Sequence, residues 1–363
     1  MVNCLPDPLA GPPPTPAAGS RFPLICLLTA GANRDKLRTN RLRNRLPTTE
    51  VKPLSPQRVI LDVDTGLDDA IALALAISSP DLEVVGVTTV RGNQLVHVCT
   101  ENTLRVLDHL GSEAPVFEGM AQPLLRNFER IASPTHGEYI NLPPARRSKE
   151  PQHAVDWLIT TLLASEGDIV LIPVGPLTNI AMAMRREPAI LPKIRELVIM
   201  GGGHSVRNMT PASEFNIWVD PHAARIVLGC GRPIRLVTLD ATTKARVGWD
   251  DVAALRATGA TAALMAADIL ANYIEAYDCQ PPVACPGTAP VHDALAVLAL
   301  LDPEVVGTEL VHVDVETEGE LTTGMTVCDF QHAGTGTPNV HVAIDADRTR
   351  FVQRLVAILG RPT

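Results

Sequence analysis

The chain has 363 residues, 46% hydrophobic and 20% charged, and its 31 basic and 40 acidic residues give a formal net charge of −9. That is too long for a small stapled scaffold, and the composition excludes wholesale disorder and supplies a sizeable core. The acidic balance argues against a nucleic-acid or anionic-membrane partner, and seven scattered cysteines with no CxxC pair argue against a disulfide framework or zinc cluster. No apolar run approaches the roughly 18–20 residues that span a bilayer. The basic residues Arg34 to Arg45 follow the short apolar stretch Pro23 to Ala30 instead of preceding it, so no signal peptide is expected and a reducing cytoplasm is.

Residues 1–57 carry ten prolines, then a basic stretch, and no sustained periodicity, which reads as a disordered extension or an overlong start ahead of one domain over 58–363. From Arg58 the pattern changes. Val59-Ile60-Leu61 predicts a strand, and the alanine-rich run Asp69 to Ile77 predicts a helix behind a polar turn. Strands are then expected at Leu82 to Thr89, Ile169 to Pro173, Leu197 to Met200 and Ile234 to Leu239. Helices are expected at Val96 to Leu110, Asn179 to Arg186 and Pro221 to Leu228, the last capped by Asp220 with proline in its first turn. A final helix is expected at Ala294 to Leu301. Such alternation implies an α/β fold with a doubly wound, mostly parallel sheet covered by helices on both faces. Ligands of such sheets sit beyond the carboxyl ends of the strands, so the loops there are the places to look.

The first of those loops, Asp62-Val63-Asp64-Thr65-Gly66-Leu67-Asp68-Asp69, puts four carboxylates into eight positions. A helix N-terminus accounts for one as cap and a second in the first turn, not for four. Like charges crowded in a semi-buried turn raise one another's pKa unless a cation is present. The donors are all hard oxygens with no nearby His or Cys, which favours Ca2+ or Mg2+ over zinc.

Two families place acidic residues this way. Asp62-Val63-Asp64-Thr65 could pass for the nucleophile motif of haloacid dehalogenase-type phosphatases, with Asp62 attacking, but that leaves Asp68-Asp69 unexplained. The whole stretch more closely resembles the Asp-x-Asp-Pro-Gly-x-Asp-Asp signature of calcium-dependent nucleoside hydrolases, of the inosine-uridine preferring type, with Thr65 where proline is usual. Five further segments follow in the order of that family. They are Thr88 to Asn93, Val174 to Asn179, the glycine-rich Met200 to Gly203, the stretch with Asn208, Glu214, Phe215, Asn216 and Asp220-Pro221, and His292-Asp293, while His136 in Ser133 to Gly137 resembles a mobile-loop histidine found near the base in related enzymes. For Asn179 the reading of the residues favours helix capping. Tyr273, Tyr277 and Phe330 could stack on a base or fill core.

The resemblance implies a Rossmann-like hydrolase domain that cleaves ribonucleosides to ribose and free base in nucleoside salvage or catabolism, as a homodimer or homotetramer. It assigns the Ca2+ to Asp64, Asp69, the carbonyl of Val174 and Asp293, with Asp64 also the base for the attacking water. Asp68, Asn93 and Asn216 would hold the 2′ and 3′ hydroxyls, Asn208 and Glu214 the 5′-hydroxyl, and Met200 would line the substrate site. His292 would be the acid for the leaving base, helped by His136; both histidines together lean towards pyrimidine or mixed nucleosides. The rival expectations are the Mg2+-dependent phosphatase and a ribosyl-binding protein without turnover.

Overall fold

The structure, a computed structural model, describes residues 55–128, 139–279 and 285–362. Its centre is an eight-stranded sheet built from β1 (Gln57–Val63), β2 (Leu82–Thr89), β3 (Val116–Glu118), β4 (Ile169–Pro173), β5 (Ile194–Met200), β6 (Ile234–Val237), β9 (Val306–Val311) and β12 (Val340–Ala346). The spatial order is β3-β2-β1-β4-β5-β6-β12-β9, and every pairing is parallel except β12 with β9. The remaining strands, β7 (Arg246–Gly248) with β8 (Thr288–Pro290) and β10 (Val313–Val315) with β11 (Thr326–Cys328), form two antiparallel pairs outside it.

Alternation along β1 explains how the sheet is covered. Val59, Leu61 and Val63 point into one apolar cluster and Ile60 into the other, as the two-residue period of a strand requires. The helix Leu67–Ser78 lies on the first face. It is apolar on every side because Ala70 to Ala76 are all buried, partly against the helix His292–Leu301. Truncating Leu73 there is expected to cost about 2–5 kcal/mol. The helices Ala154–Ala164, Thr178–Arg186 and Pro221–Leu228 cover the second face. The chain thus leaves β1 towards one face and β4, its neighbour, towards the other. The crevice between their carboxyl ends is the switch point at which such sheets bind ligands.

Most expected elements are present, with two corrections. The strand from Ile234 stops at Val237, and Leu239 already begins a one-turn helix, Leu239–Thr242; the Thr238 hydroxyl donates to Ala343 O and the chain turns there. Asn179 does not cap its helix. Leu177 holds the cap position, and Asn179 lies inside the first turn, fully buried, with its amide directed across the sheet. Asp220 does cap its helix, accepting from Ala223 N at 3.0 Å, and its other oxygen accepts from Thr178 Oγ1 and Leu124 N, both at 2.8 Å.

Candidate active site

At the switch point the carboxylates of Asp68, Asp69 and Asp293 each offer an oxygen within 4.8 Å of the others, and all three are buried. Asp68 and Asp69 are there because the turn after β1 delivers them into the first turn of the Leu67–Ser78 helix. Asp293 is there because the helix His292–Leu301 packs on that helix with its own first turn at the same end. Asp69 is also a structural cap. Its Oδ2 accepts from Gly66 N at 2.8 Å and its Oδ1 from Asp64 N at 3.1 Å, so the backbone fixes the side chain independently of any ligand.

Asp64 stands beside this group, not within it, and is held by close backbone. Its Oδ2 accepts from Asn93 N at 2.6 Å, and a Cβ on Gly92 or Gly175 would lie 2.0 Å or 2.8 Å from its carboxylate oxygens. The glycines are required by that approach. Burial, then the charges of Asp69 and Asp68, push the Asp64 carboxyl well above the usual range. Asp293 is raised in the same way by burial and then by Asp68, Asp69 and Asp64. Burial lifts Asp68 to about 6 against the hydrogen bonds that favour its charged form, among them those from Asp293 and Tyr273. Buried carboxylates that disfavour one another's ionisation, all hard oxygen donors, fit a divalent cation of the calcium or magnesium kind.

The proline-to-threonine departure is accommodated. Thr65 Oγ1 lies 2.6 Å from Thr103 Oγ1, and Asn102 Nδ2 donates to Thr65 O at 3.1 Å, so the helix Val96–His109 pins the turn that proline would have stiffened. Asp62 is not placed as a nucleophile. It is buried on the Ile60 face, its Oδ1 accepts from Thr88 Oγ1 at 2.5 Å and Asn179 Nδ2 at 2.7 Å, and burial raises its carboxyl to about 7.

Across the crevice, Asn216 Nδ2 donates to Val174 O at 2.7 Å and to Met200 O at 3.3 Å, which ties the ends of β4 and β5 together. Asn93 Nδ2 reaches Asp69 Oδ2 at 3.4 Å. Glu214 is buried and its carboxylate is the cap of the short helix Phe215–Val219, accepting from Gly202 N, Asn216 N and Ile217 N at 2.9–3.1 Å. Burial still raises it to about 6. Asn208 is exposed and its Oδ1 accepts from Phe215 N at 2.9 Å, next to that cap.

His292 is buried, with Nδ1 2.6 Å from Thr242 Oγ1 and Nε2 3.2 Å from Tyr277 Oη. Tyr277 also packs edge-on against Tyr273, whose hydroxyl serves the Asp68 carboxylate. Thr242 was invisible as a site residue in the sequence, whereas the four-residue spacing of Tyr273 and Tyr277 on one helix face was a usable signal. Phe330 stands edge-on to His204, their ring centroids 4.6 Å apart. His136 lies outside the described residues.

Together these features place buried carboxylates and a histidine at the switch point of an α/β fold. Residues 59–353 match the model of the inosine-uridine preferring nucleoside hydrolase family. The chain is 40% identical over 306 residues to a pyrimidine-specific ribonucleoside hydrolase, RihB, of Shigella sonnei, spanning 82% of this chain and 95% of the relative; its counterpart in Escherichia coli matches equally. Among solved structures, a plant nucleoside hydrolase (PpNRh1) superposes with a TM-score of 0.79 at 30% identity, covering 85% of this chain and 100% of the other. A purine-preferring ribonucleoside hydrolase from Gardnerella vaginalis gives 0.77 at 32%, covering 84% and 98%. The chain belongs to the inosine-uridine preferring nucleoside hydrolase family, and it is an enzyme that hydrolyses ribonucleosides. The phosphatase and the non-catalytic binding protein are thereby set aside.

Proposed function

We propose that this enzyme releases the base from pyrimidine ribonucleosides and uses a Ca2+ ion held by Asp64, Asp69, the Val174 carbonyl and Asp293. The observation that carries the reading is the convergence of Asp68, Asp69 and Asp293 at the switch point, with Asp64 and the Val174 carbonyl on the adjoining loops. When bound there, the cation would anchor the sugar diol and acidify a water. Asp64 would serve as the base for the water that attacks the anomeric carbon. Asp68, Asn93 and Asn216 hold the 2′ and 3′ hydroxyls, and Asn208 with Glu214 orients the 5′-hydroxyl over the Met200 edge, so the ribose is presented in one pose. The departing base accumulates negative charge as the sugar becomes oxocarbenium-like. His292 supplies a proton or hydrogen bond to it, with His136 assisting.

The pyrimidine preference is supported by the relatives named for it and by the paired histidines. The enzyme is further taken to act in the cytoplasm as a homodimer or homotetramer, with residues 58–363 as its hydrolase domain and 1–57 as an extension. Among the described residues no helix is long and apolar enough to cross a membrane. The test is reducing-sugar release from uridine, cytidine, inosine, adenosine and guanosine, before and after prolonged chelation. Release fastest from uridine or cytidine, lost on chelation and restored by Ca2+, is the expected result. Faster release from the purine ribosides would overturn the preference, and release indifferent to chelation would overturn the cation.

A further inference from the structure

The amide of Asn179 sits where four strand ends meet. Its Nδ2 donates to Asp62 Oδ1 on β1 at 2.7 Å and to Thr89 O at the end of β2 at 3.0 Å. Its Oδ1 accepts from Met120 N, just past β3, at 2.8 Å, and the residue itself follows β4. Both amide protons and the amide oxygen are engaged, and the side chain is fully buried. A Cβ on Gly119 would lie 2.2 Å from Asn179 Oδ1, so the neighbouring backbone is shaped around this amide.

Three of the four segments it joins lead within a few residues to a group assigned to the cation or the sugar. Asp62 is two residues before Asp64. Thr89 opens the loop whose Asn93 N donates to Asp64 Oδ2. The helix that carries Asn179 is entered from the loop of Val174, whose N donates to Asp62 O at 2.9 Å. A carboxamide supplies two donors and an acceptor in one plane, and no other uncharged side chain of that size does so.

We infer that Asn179 is a positioning residue of the active site, which sets the separation of the Asp64, Asn93 and Val174 loops through Asp62 and Thr89 without touching substrate. The inference rests on the proposed cation and sugar ligands. Removing the two donors while keeping the shape lets β1 and β2 drift from β4, and the cation site loosens although the core remains packed.

The test is a swap on the full-length protein at pH 8. Asn179→Asp sets two carboxylates against each other, Asp62→Asn sets two amide groups against each other, and the double variant restores one donor facing one acceptor. Asn179→Ser, which keeps a hydroxyl donor in less volume, is measured alongside in case the paired carboxylates prevent folding. Calcium affinity by titration calorimetry and kcat and KM for uridine are read together with the melting midpoint. The expected result is a calcium Kd raised at least tenfold and kcat lowered at least tenfold in each folded single variant, with partial recovery of both in the swap, where the pairing with position 62 returns but Thr89 O has no donor. Wild-type calcium affinity and kcat in the folded single variants, or a swap no better than its worse parent, would overturn the inference. A wild-type protein that binds calcium but releases no ribose would instead sink the functional reading, with the calcium titration still deciding the role of Asn179.

Discussion

Thr242 Oγ1 lies 2.6 Å from Nδ1 of His292, fifty positions along the chain, while Tyr277 Oη lies on the opposite ring nitrogen. When the ring is cationic both nitrogens donate, and these two hydroxyl oxygens are the acceptors in place. Thr242→Val removes one of them and leaves the packing volume almost unchanged. A fall in kcat for uridine of about fivefold is expected, from the roughly 1 kcal/mol that such a bond contributes. Unchanged kcat would show that Tyr277 alone holds the ring.

His292→Ala removes the acid itself. General acid catalysis contributes about 10²–10⁴-fold, so kcat on uridine should fall by that order, while 4-nitrophenyl riboside, whose leaving group needs no proton, should lose far less. Equal losses on the two substrates would sink the acid assignment.

Gly92→Ala puts a Cβ 2.0 Å from Asp64 Oδ2, against a carboxylate fixed from its other side by the Gly175 approach. Asp64 or the Asn93 loop must move. At least a tenfold loss of calcium affinity is expected, with a small change in melting midpoint, because Gly92 lies in a loop at the crevice and not in the core. Near wild-type affinity would mean that the loop yields freely.

Asp64→Ala should abolish turnover while leaving the cation-free protein folded and no less stable, because it removes one member of a mutually repelling group. Thermal melting in chelator checks this. A collapse of the transition would show that the Asn93 N bond to Asp64 outweighs the repulsion.

The stability of cation-free protein should fall as pH rises from about 4 to about 7. Asp62 at about 7 and Glu214 at about 6 are both raised by burial above the ordinary carboxylate range, so the folded state binds more protons than the unfolded one across that window. Stability is therefore fully present below the unfolded pKa and is lost as pH climbs through the folded one, at about 1.4 kcal/mol per pKa unit for each group. Melting midpoints in chelator at pH 5 and pH 8 test the sign; a higher midpoint at pH 8 would contradict it.

Local patterns in the sequence carried the strand and helix alternation from β1 to the Pro221–Leu228 helix and the acidic turn, because periodicity, capping and spacing are short-range properties. The strands β9 and β12 and the helix Arg348–Leu359 were not anticipated. The role of Asn179 was misjudged for a definite reason. An Asn near a helix start reads as a cap, and its actual partners, Asp62 and Thr89, lie 117 and 90 positions away. Thr242 escaped for the same reason. The capping role of Glu214 is a local property, since it directly precedes the short helix it caps.

Asp68 and Asp69 lie near the start of the described chain and Asp293 roughly 220 residues later. The carboxylate cluster therefore closes one of the largest loops in the molecule, and its closure entropy is recovered only when the intervening sheet has been assembled. On the proposed assignment, Asp64, Asp69 and the Val174 carbonyl emerge during synthesis long before the fourth ligand, Asp293. If the proposed cation is held there, its site is complete only when the His292–Leu301 helix has been made and docked, so cation capture would report the completion of folding, and a chain truncated before Asp293 would lack one of the proposed ligands.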